Sequence, residues 1–156
     1  VPATLDPPAL RALVRDTVRR GEWRGCVHHD PARRGAHLLR RDDRVEVWVL
    51  TWDDGHDTGF HDHGGSTAAV GVVEGRLREE RLTVSGAPAV RALAAGDVVD
   101  VDPVHVHRVR HAGGPPAVSI HAYSPPLREV GAYAVSADGL IERTPLPGDH
   151  ELTADD

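Results

Sequence analysis

Apolar residues recur at helical spacing near the start of the chain. In ALRALVRDTVRRG, residues 9–21, Leu10, Leu13, Val14 and Val18 fall on one face and the arginines and Asp16 fall elsewhere. Asp6 stands at the N-cap position, Pro7 belongs to the first turn, and Gly21 follows the last basic residues as a stop signal, so a helix is predicted over residues 6–20. Residues 21–44 mix glycine, proline and arginine without a period. They predict mostly loop, with one short strand near residues 37–39. From residue 45 the period becomes two: Val45, Val47, Val49 and Thr51 alternate with Glu46, Trp48, Leu50 and Trp52, the pattern of a strand covered on both faces.

Further β-rich runs follow: TAAVGVVEG, RLREERLTV, DVVDVDP, HVHRVR, AVSIHAYS and VGAYAVS. Gly-Asp, Ser-Gly, Gly-Gly-Pro-Pro and Ala-Asp-Gly-Leu separate them with turn chemistry. Many short strands and almost no second helix predict an all-β fold, a small β-barrel with an N-terminal α-helix. The 156 residues suit a single domain, 1–156, with the barrel over about 34–145 and an acidic end, 149–156, that frays.

Composition narrows the function. A hydrophobic content of 40% beside 27% charged residues is that of a soluble globular chain, and no apolar run nears the roughly 20 residues that span a bilayer. A net charge of −6 argues against nucleic acid as a partner. One cysteine, Cys26, rules out an intramolecular disulfide and suits a reducing cytoplasm, the expected location. Monomer and homodimer are equally compatible with these totals.

The eleven histidines depart from ordinary usage, and they matter only where several converge. In Phe60-His61-Asp62-His63-Gly64-Gly65-Ser66, His61 and His63 on a strand edge point to the same face, and Asp62 points away. Val104-His105-Val106-His107-Arg108 offers a second His-x-His, whose members also share a face, so period alone leaves the third partner open between His105 and His107. His111 is placed on the opposite face. His28, His29, His37, His56 and His150 read as surface or loop residues, with His37 also a candidate for a pocket wall. Ser119, His121 and Tyr123 alternate along one strand and share a face, as core hydrogen bonding or as an active-site relay.

Gly55, five residues, then His61-x-His63, with Gly75 at the end, resembles the first cupin motif; Gly96 to His107 resembles the second, with its proline shifted by one. The glutamate that follows the histidines in most first motifs is missing from residues 64–68 (Gly-Gly-Ser-Thr-Ala). A cupin that keeps three histidines and drops that acid resembles the cysteine dioxygenase (thiol dioxygenase) family. Thr51-Trp52, nine residues before His61, resembles that family's tryptophan strand. His107-Arg108-Val109 resembles its His-Arg-Val, and Ser119-Ile120-His121-Ala122-Tyr123-Ser124-Pro125-Pro126 resembles its Ser-x-His-x-Tyr-Ser-Pro-Pro. The likeness covers about residues 34–126.

The resemblance implies a cupin-type jelly-roll barrel and a metal held by His61, His63 and His107, with His105 a bystander. It implies Fe(II), with nickel or another divalent metal as an alternative, and O2 as co-substrate. A small-molecule thiol, cysteine or a relative, would be oxidised to its sulfinate. Three neutral imidazoles leave about half of an octahedral ion open to thiolate, a second donor and O2. Ser119, His121 and Tyr123 become a relay, and Trp52 a wall.

Two departures from the family pattern carry consequences. Animal members place a cysteine, cross-linked to the tyrosine, where this chain has Ala68; an unmodified Tyr123 is therefore expected. Many bacterial members also lack that cysteine. The family's carboxylate-binding arginine falls at Ala36, with Arg34 and Arg40 as the nearest candidates to replace it in the pocket, beside Arg33 and Arg41. A poor or atypical cysteine dioxygenase is expected. A three-histidine cupin that rearranges a cysteine-like thiol, and a non-catalytic metal or small-molecule sensor, are the rival readings.

Overall fold

The structure, a computed structural model, describes residues 3–149; His150 and the rest of the acidic end lie outside the described residues. Helix α1 (Pro7–Arg20) forms where its signals place it. The Asp6 carboxylate accepts from the Ala9 amide at 2.8 Å, and Gly21, at φ 73°, ends the helix in the left-handed conformation that glycine adopts without strain. Leu10 and Val14 are fully buried. A 3-10 turn (Glu22–Cys26) follows.

Among the described residues eleven strands come next: β1 (Gly35–Arg41), β2 (Glu46–Trp52), β3 (His61–Asp62), β4 (Thr67–Glu74), β5 (Arg76–Arg81), β6 (Ala89–Ala94), β7 (Val98–Val101), β8 (His107–His111), β9 (Ala117–Ser124), β10 (Glu129–Val135) and β11 (Ile141–Pro147). They form two sheets, β1-β2-β9-β4-β7 and β11-β10-β3-β8-β5-β6. The sheets face each other as a jelly-roll sandwich and do not close into one continuous hydrogen-bonded barrel among the described residues.

The first sheet is covered on both faces, which explains why every residue of β2 and β9 is buried. Val45, Val47, Val49, Val118, Ile120 and Ala122 pack outward against Leu10 and Val14 of α1 and against Trp23. The helix lies so near β4 that a Cβ on Gly71 would stand 2.6 Å from Val14 Cγ1, so only glycine fits there. Trp48, Leu50, Trp52, Ala68, Ala117 and Tyr123 face inward and meet Leu77, Leu93, Val109 and Val130 of the second sheet. Each such large side chain taken from water contributes about 1.5–3 kcal/mol.

The short strand expected at 37–39 extends to the whole of β1, and two strands escape the periodicity. β6, AVRALA, has the composition of a helix, and β11, IERTPLP, carries two prolines. Both are edge strands, where pairing with β5 and β10 outweighs weak local preference and where a proline leaves no ladder bond unmade. His111 corrects the expectation of an opposite face. Along β8 His107, Val109 and His111 are all buried, because a four-residue step is two full strand periods. No helix among the described residues is long and apolar enough to cross a membrane.

Candidate metal centre

β3 is only two residues long, yet it fixes the centre. His61 is the register partner of Ala132 on β10 and of His107 on β8. Residues directly opposed in an antiparallel pair share a face, so His61 and His107 meet on the inner side. His63 lies just beyond the strand end, and a turn follows it. Gly64 (φ 58°) and Gly65 (φ 96°) make that turn, and a Cβ on Gly64 would stand 2.1 Å from the Glu129 carbonyl oxygen. The two-residue step from His61 thus keeps the second imidazole on the same face, and the glycine turn lets the chain leave directly after it.

The three rings form a buried triangle. Centroid separations are 5.1 Å for His61–His63, 4.6 Å for His61–His107 and 5.0 Å for His63–His107. One ring nitrogen from each lies within 4.8 Å of the others. His63 Nε2 and His107 Nε2 are 3.4 Å apart, the separation of two donors about 2.0–2.1 Å from a shared ion. His105 lies outside the triangle: β8 begins at His107, and His105 sits in a turn where its amide donates to the Asp102 carbonyl.

Hydrogen bonds set the tautomers. His61 Nδ1 donates to the Gly59 carbonyl at 3.0 Å, and His107 Nδ1 donates to the Glu79 carboxylate at 3.0 Å. A carbonyl and a carboxylate can only accept, so both imidazoles present Nε2 lone pairs to the centre. Burial, reinforced by His61 and His63, pushes the His107 pKa down to about 3, against the pull of Glu79, so the ring is neutral as a ligand requires. Burial raises the Glu79 carboxyl, but His107 and Arg91 outweigh it and hold the pKa at about 2. The donor set thus fits a divalent cation: three buried ring nitrogens converge, and His61 and His107 turn their Nδ1 protons away from the centre.

Asp62 does point away from the triangle, into a network of its own. It accepts from Tyr133 Oη at 2.7 Å, Arg143 Nε at 2.7 Å, and the amides of Gly64 at 2.9 Å and Gly131 at 3.1 Å. Burial opposes its ionisation, yet these partners hold the carboxyl well below the usual carboxylate range. The effect is to clamp β3 to β10 and β11. Neither Glu79 nor this clamp was singled out from the sequence. Glu79 comes from a neighbouring strand, and only its inward alternation with Leu77 could have flagged it.

Across the interior, β9 presents Ser119, His121 and Tyr123. Trp52 Nε1 donates to Ser119 Oγ at 2.9 Å, Ser119 Oγ lies 2.8 Å from His121 Nε2, and His121 Nδ1 lies 3.1 Å from Tyr123 Oη. The Tyr123 ring stands 5.2 Å from the His63 ring, which brings the end of this chain to the triangle. Ala68 is the register partner of Tyr123, whereas Cys26 packs in the cluster beneath α1, on the far side of the sheet.

The expected pocket wall divides. Trp52 is fully buried on the inner face, and Arg34, 2% exposed, lies with its guanidinium 5.1 Å from the Trp52 ring. His37 and Arg40 do not belong to the interior. Both side chains are exposed on β1, and Arg40 binds Asp42 at 2.7 Å. His37 projects outward because Ala36 and Leu38 take the inward positions of that strand, and Arg40 does so because the register shifts between Leu38 and Arg40 and pairs it with outward-facing Val47. A buried arginine, Arg34, therefore stands two residues before Ala36, just ahead of β1.

Two facing sheets with three histidines converging between them define a cupin. Solved structures agree at the level of fold. A cupin superfamily protein of Desulfitobacterium hafniense superposes with a TM-score of 0.55 at 15% identity, over 64% of this chain and 84% of that one. A protein with a double-stranded beta-helix domain from Klebsiella pneumoniae gives 0.56 at 19%, over 64% and 78%. The family model for cysteine dioxygenase type I matches residues 11–136, reaching into α1 and past β9 as well as the motif-bearing stretch. Human cysteine dioxygenase type 1 is 26% identical over 122 residues, 72% of this chain and 61% of the human protein. The zebrafish (Danio rerio) protein is 27% identical over 118 residues, 69% and 59%. The chain belongs to the cysteine dioxygenase type I family. It spans about three-fifths of the length of these curated relatives.

Proposed function

We propose that this protein is a metal-dependent thiol dioxygenase that converts a small thiol, RSH, with O2 into the sulfinic acid RSO2H. Both oxygen atoms go to sulfur, which loses four electrons, so no external reductant enters. The observation that carries this reading is the pairing of an all-histidine triangle with a tyrosine hydroxyl line aimed at it from the opposite sheet. His61, His63 and His107 are the ligands. A divalent ion held there, Fe(II) in our reading, supplies a common binding centre for thiolate and O2 and carries electrons between them.

The surrounding residues position and hold protons. Trp52 can only donate, so Ser119 Oγ accepts from it and turns its own proton to His121 Nε2. His121 Nδ1–H then donates to the Tyr123 oxygen, which directs the phenolic proton toward the thiol and dioxygen. Ala68 opposite Tyr123 offers no sulfur, so the tyrosine ring stays unmodified. Trp52 and Arg34 close the interior at the far end of β9 and keep water out.

Oxygen uptake by the Fe(II)-loaded protein with a panel of small thiols, followed by mass spectrometry of the product, tests the proposal. Consumption of one O2 per thiol with two oxygen atoms gained by the product is expected. A rearranged product with another stoichiometry would place the protein among oxidative rearrangement catalysts, and no uptake with any thiol would leave a binding or sensing module.

A further inference from the structure

We propose that Arg143, on the edge strand β11, is a positioning residue of the metal centre: through Asp62 it fixes the chain around His63 and so sets the affinity for the ion. The proposal rests on the metal-binding part of the function given above and is independent of which thiol is oxidised. β11 is exposed at six of its seven positions, so it buries little apolar surface of its own. It also follows the stretch that matches the family, which ends at residue 136. Arg143 gives this outlying strand a hold on the centre.

β3 needs support from outside itself. Two residues long, it has one register pair with β8 and two with β10, and His63 lies past its end. The Asp62 carboxylate takes over there. Its Oδ1 accepts from the Gly64 amide at 2.9 Å and closes a side-chain turn around His63. Arg143 grips the same carboxylate from β11: Nε donates to Oδ2 at 2.7 Å and Nη2 to Oδ1 at 3.1 Å. Such a two-pronged pairing fixes the plane of a carboxylate as well as its place. Nη1 and Nη2 also donate to Glu129 Oε1, each at 3.2 Å. The Glu129 carbonyl oxygen is the atom that a Cβ on Gly64 would strike. One guanidinium thus holds Asp62 on one side of His63 and, on the other, the residue that packs against Gly64.

Register explains how the side chain arrives. Asp62 opposes Gly131, and Tyr133, two residues further along β10, opposes Arg143, so all four lie on the face turned away from the histidines. To reach Asp62, Arg143 passes over Gly131. The backbone there is ordinary, without a positive φ. Space is what demands glycine: a Cβ would stand 2.6 Å from Asp62 Oδ2 and closer still to Arg143 Nε. Tyr133 adds its hydroxyl to the same oxygen at 2.7 Å. None of these groups can touch the ion. Whatever they contribute travels through the backbone of residues 61–64, whereas Glu79 acts directly on a ligand ring.

Titration of the metal-free protein with Co(II) tests this, read by chelator competition and by the visible absorption bands of the bound ion. Arg143→Gln is expected to weaken Co(II) binding on the order of 10-fold, the low end for residues that orient ligands from behind, and to shift the bands. Gly131→Ala, which leaves every charge in the chain, is expected to do the same. Arg143→Lys, a point charge in place of a fork, should fall between it and wild type. Arg11→Gln breaks the ion pair of α1 with Asp100 on β7 and is the control for lost stability alone: its thermal midpoint drops while Co(II) affinity and bands stay at wild type. Thermal midpoints show that each variant is folded during titration; should Arg143→Gln fail to fold, Arg143→Lys and Gly131→Ala decide the matter. Wild-type affinity and bands in the Arg143 variants, or equal weakening in Arg11→Gln, overturns the proposal and leaves the metal reading standing. If the wild type binds no stoichiometric Co(II), the metal reading fails and the role of Arg143 fails with it.

Discussion

His107 Nδ1 donates to Glu79 Oε1 over 3.0 Å, with both side chains closed off from solvent. This bond converts a choice of two tautomers into one and aims Nε2 at the other two histidines. Glu79 is itself anchored by Arg91 from β6, so an edge strand helps to orient a central imidazole.

Glu79→Gln should therefore weaken metal binding on the order of 10- to 100-fold, the usual cost of losing an orienting partner behind a ligand. Competition with a chelator of known affinity measures it. Wild-type affinity in the variant would reduce Glu79 to a partner of Arg91.

The triangle predicts an unequal outcome for the two histidines of VHVHR. His107→Ala should lose stoichiometric metal, and His105→Ala should keep it, by elemental analysis of the purified proteins. The reverse pattern would show that the turn preceding β8 rearranges around the ion.

Tyr123→Phe should retain metal and slow oxygenation by about 100-fold, the cost of removing one preorganised donor. Steady-state rates at saturating thiol and O2 decide it; an unchanged kcat would leave the β9 line as packing.

A fourth expectation concerns acid stability. Arg108 grips the Asp57 carboxylate through two nitrogens, and Asp57 also accepts from the Gly59 amide at 2.9 Å, steadying the loop that leads to His61. Burial opposes ionisation of Asp57, but Arg108 and Gly59 outweigh it and set its pKa below the ordinary 3.8. A carboxyl with a depressed folded pKa contributes stability that is complete above the unfolded value and lost as pH falls through the folded one. Asp57→Asn should cost about 1–2 kcal/mol at neutral pH, and the difference from wild type should shrink below about pH 4. Urea midpoints at pH 7 and pH 3 test both halves; a difference undiminished at pH 3 would mean that the charge is not what the pair supplies.

Local signals settled much of this protein. Asp6, Pro7 and Gly21 bound α1 because caps are decided within one turn of chain. The two-residue period of β2 and β9 made their inward faces readable, and with them the grouping of Ser119, His121 and Tyr123. His-x-His motifs announced a metal centre, and resemblance to the family chose His107 over His105.

Long-range pairing decided the rest. β6 and β11 are strands only because β5 and β10 offer them a ladder, an energy that no local window contains. The register of β3 against β8 brings His61 onto His107, and that of β8 against β5 brings Glu79 within reach of His107. Alternation in a single strand says which residues share a face; it cannot say which strand lies opposite. So the sequence determined the elements and the histidines, and the tertiary structure alone decided that Glu79 supports the centre, that His37 and Arg40 face solvent, and that Arg34 lies buried over Trp52. The physical reason is that hydrogen-bond register couples residues dozens of positions apart, and that coupling exists only once the two sheets have formed.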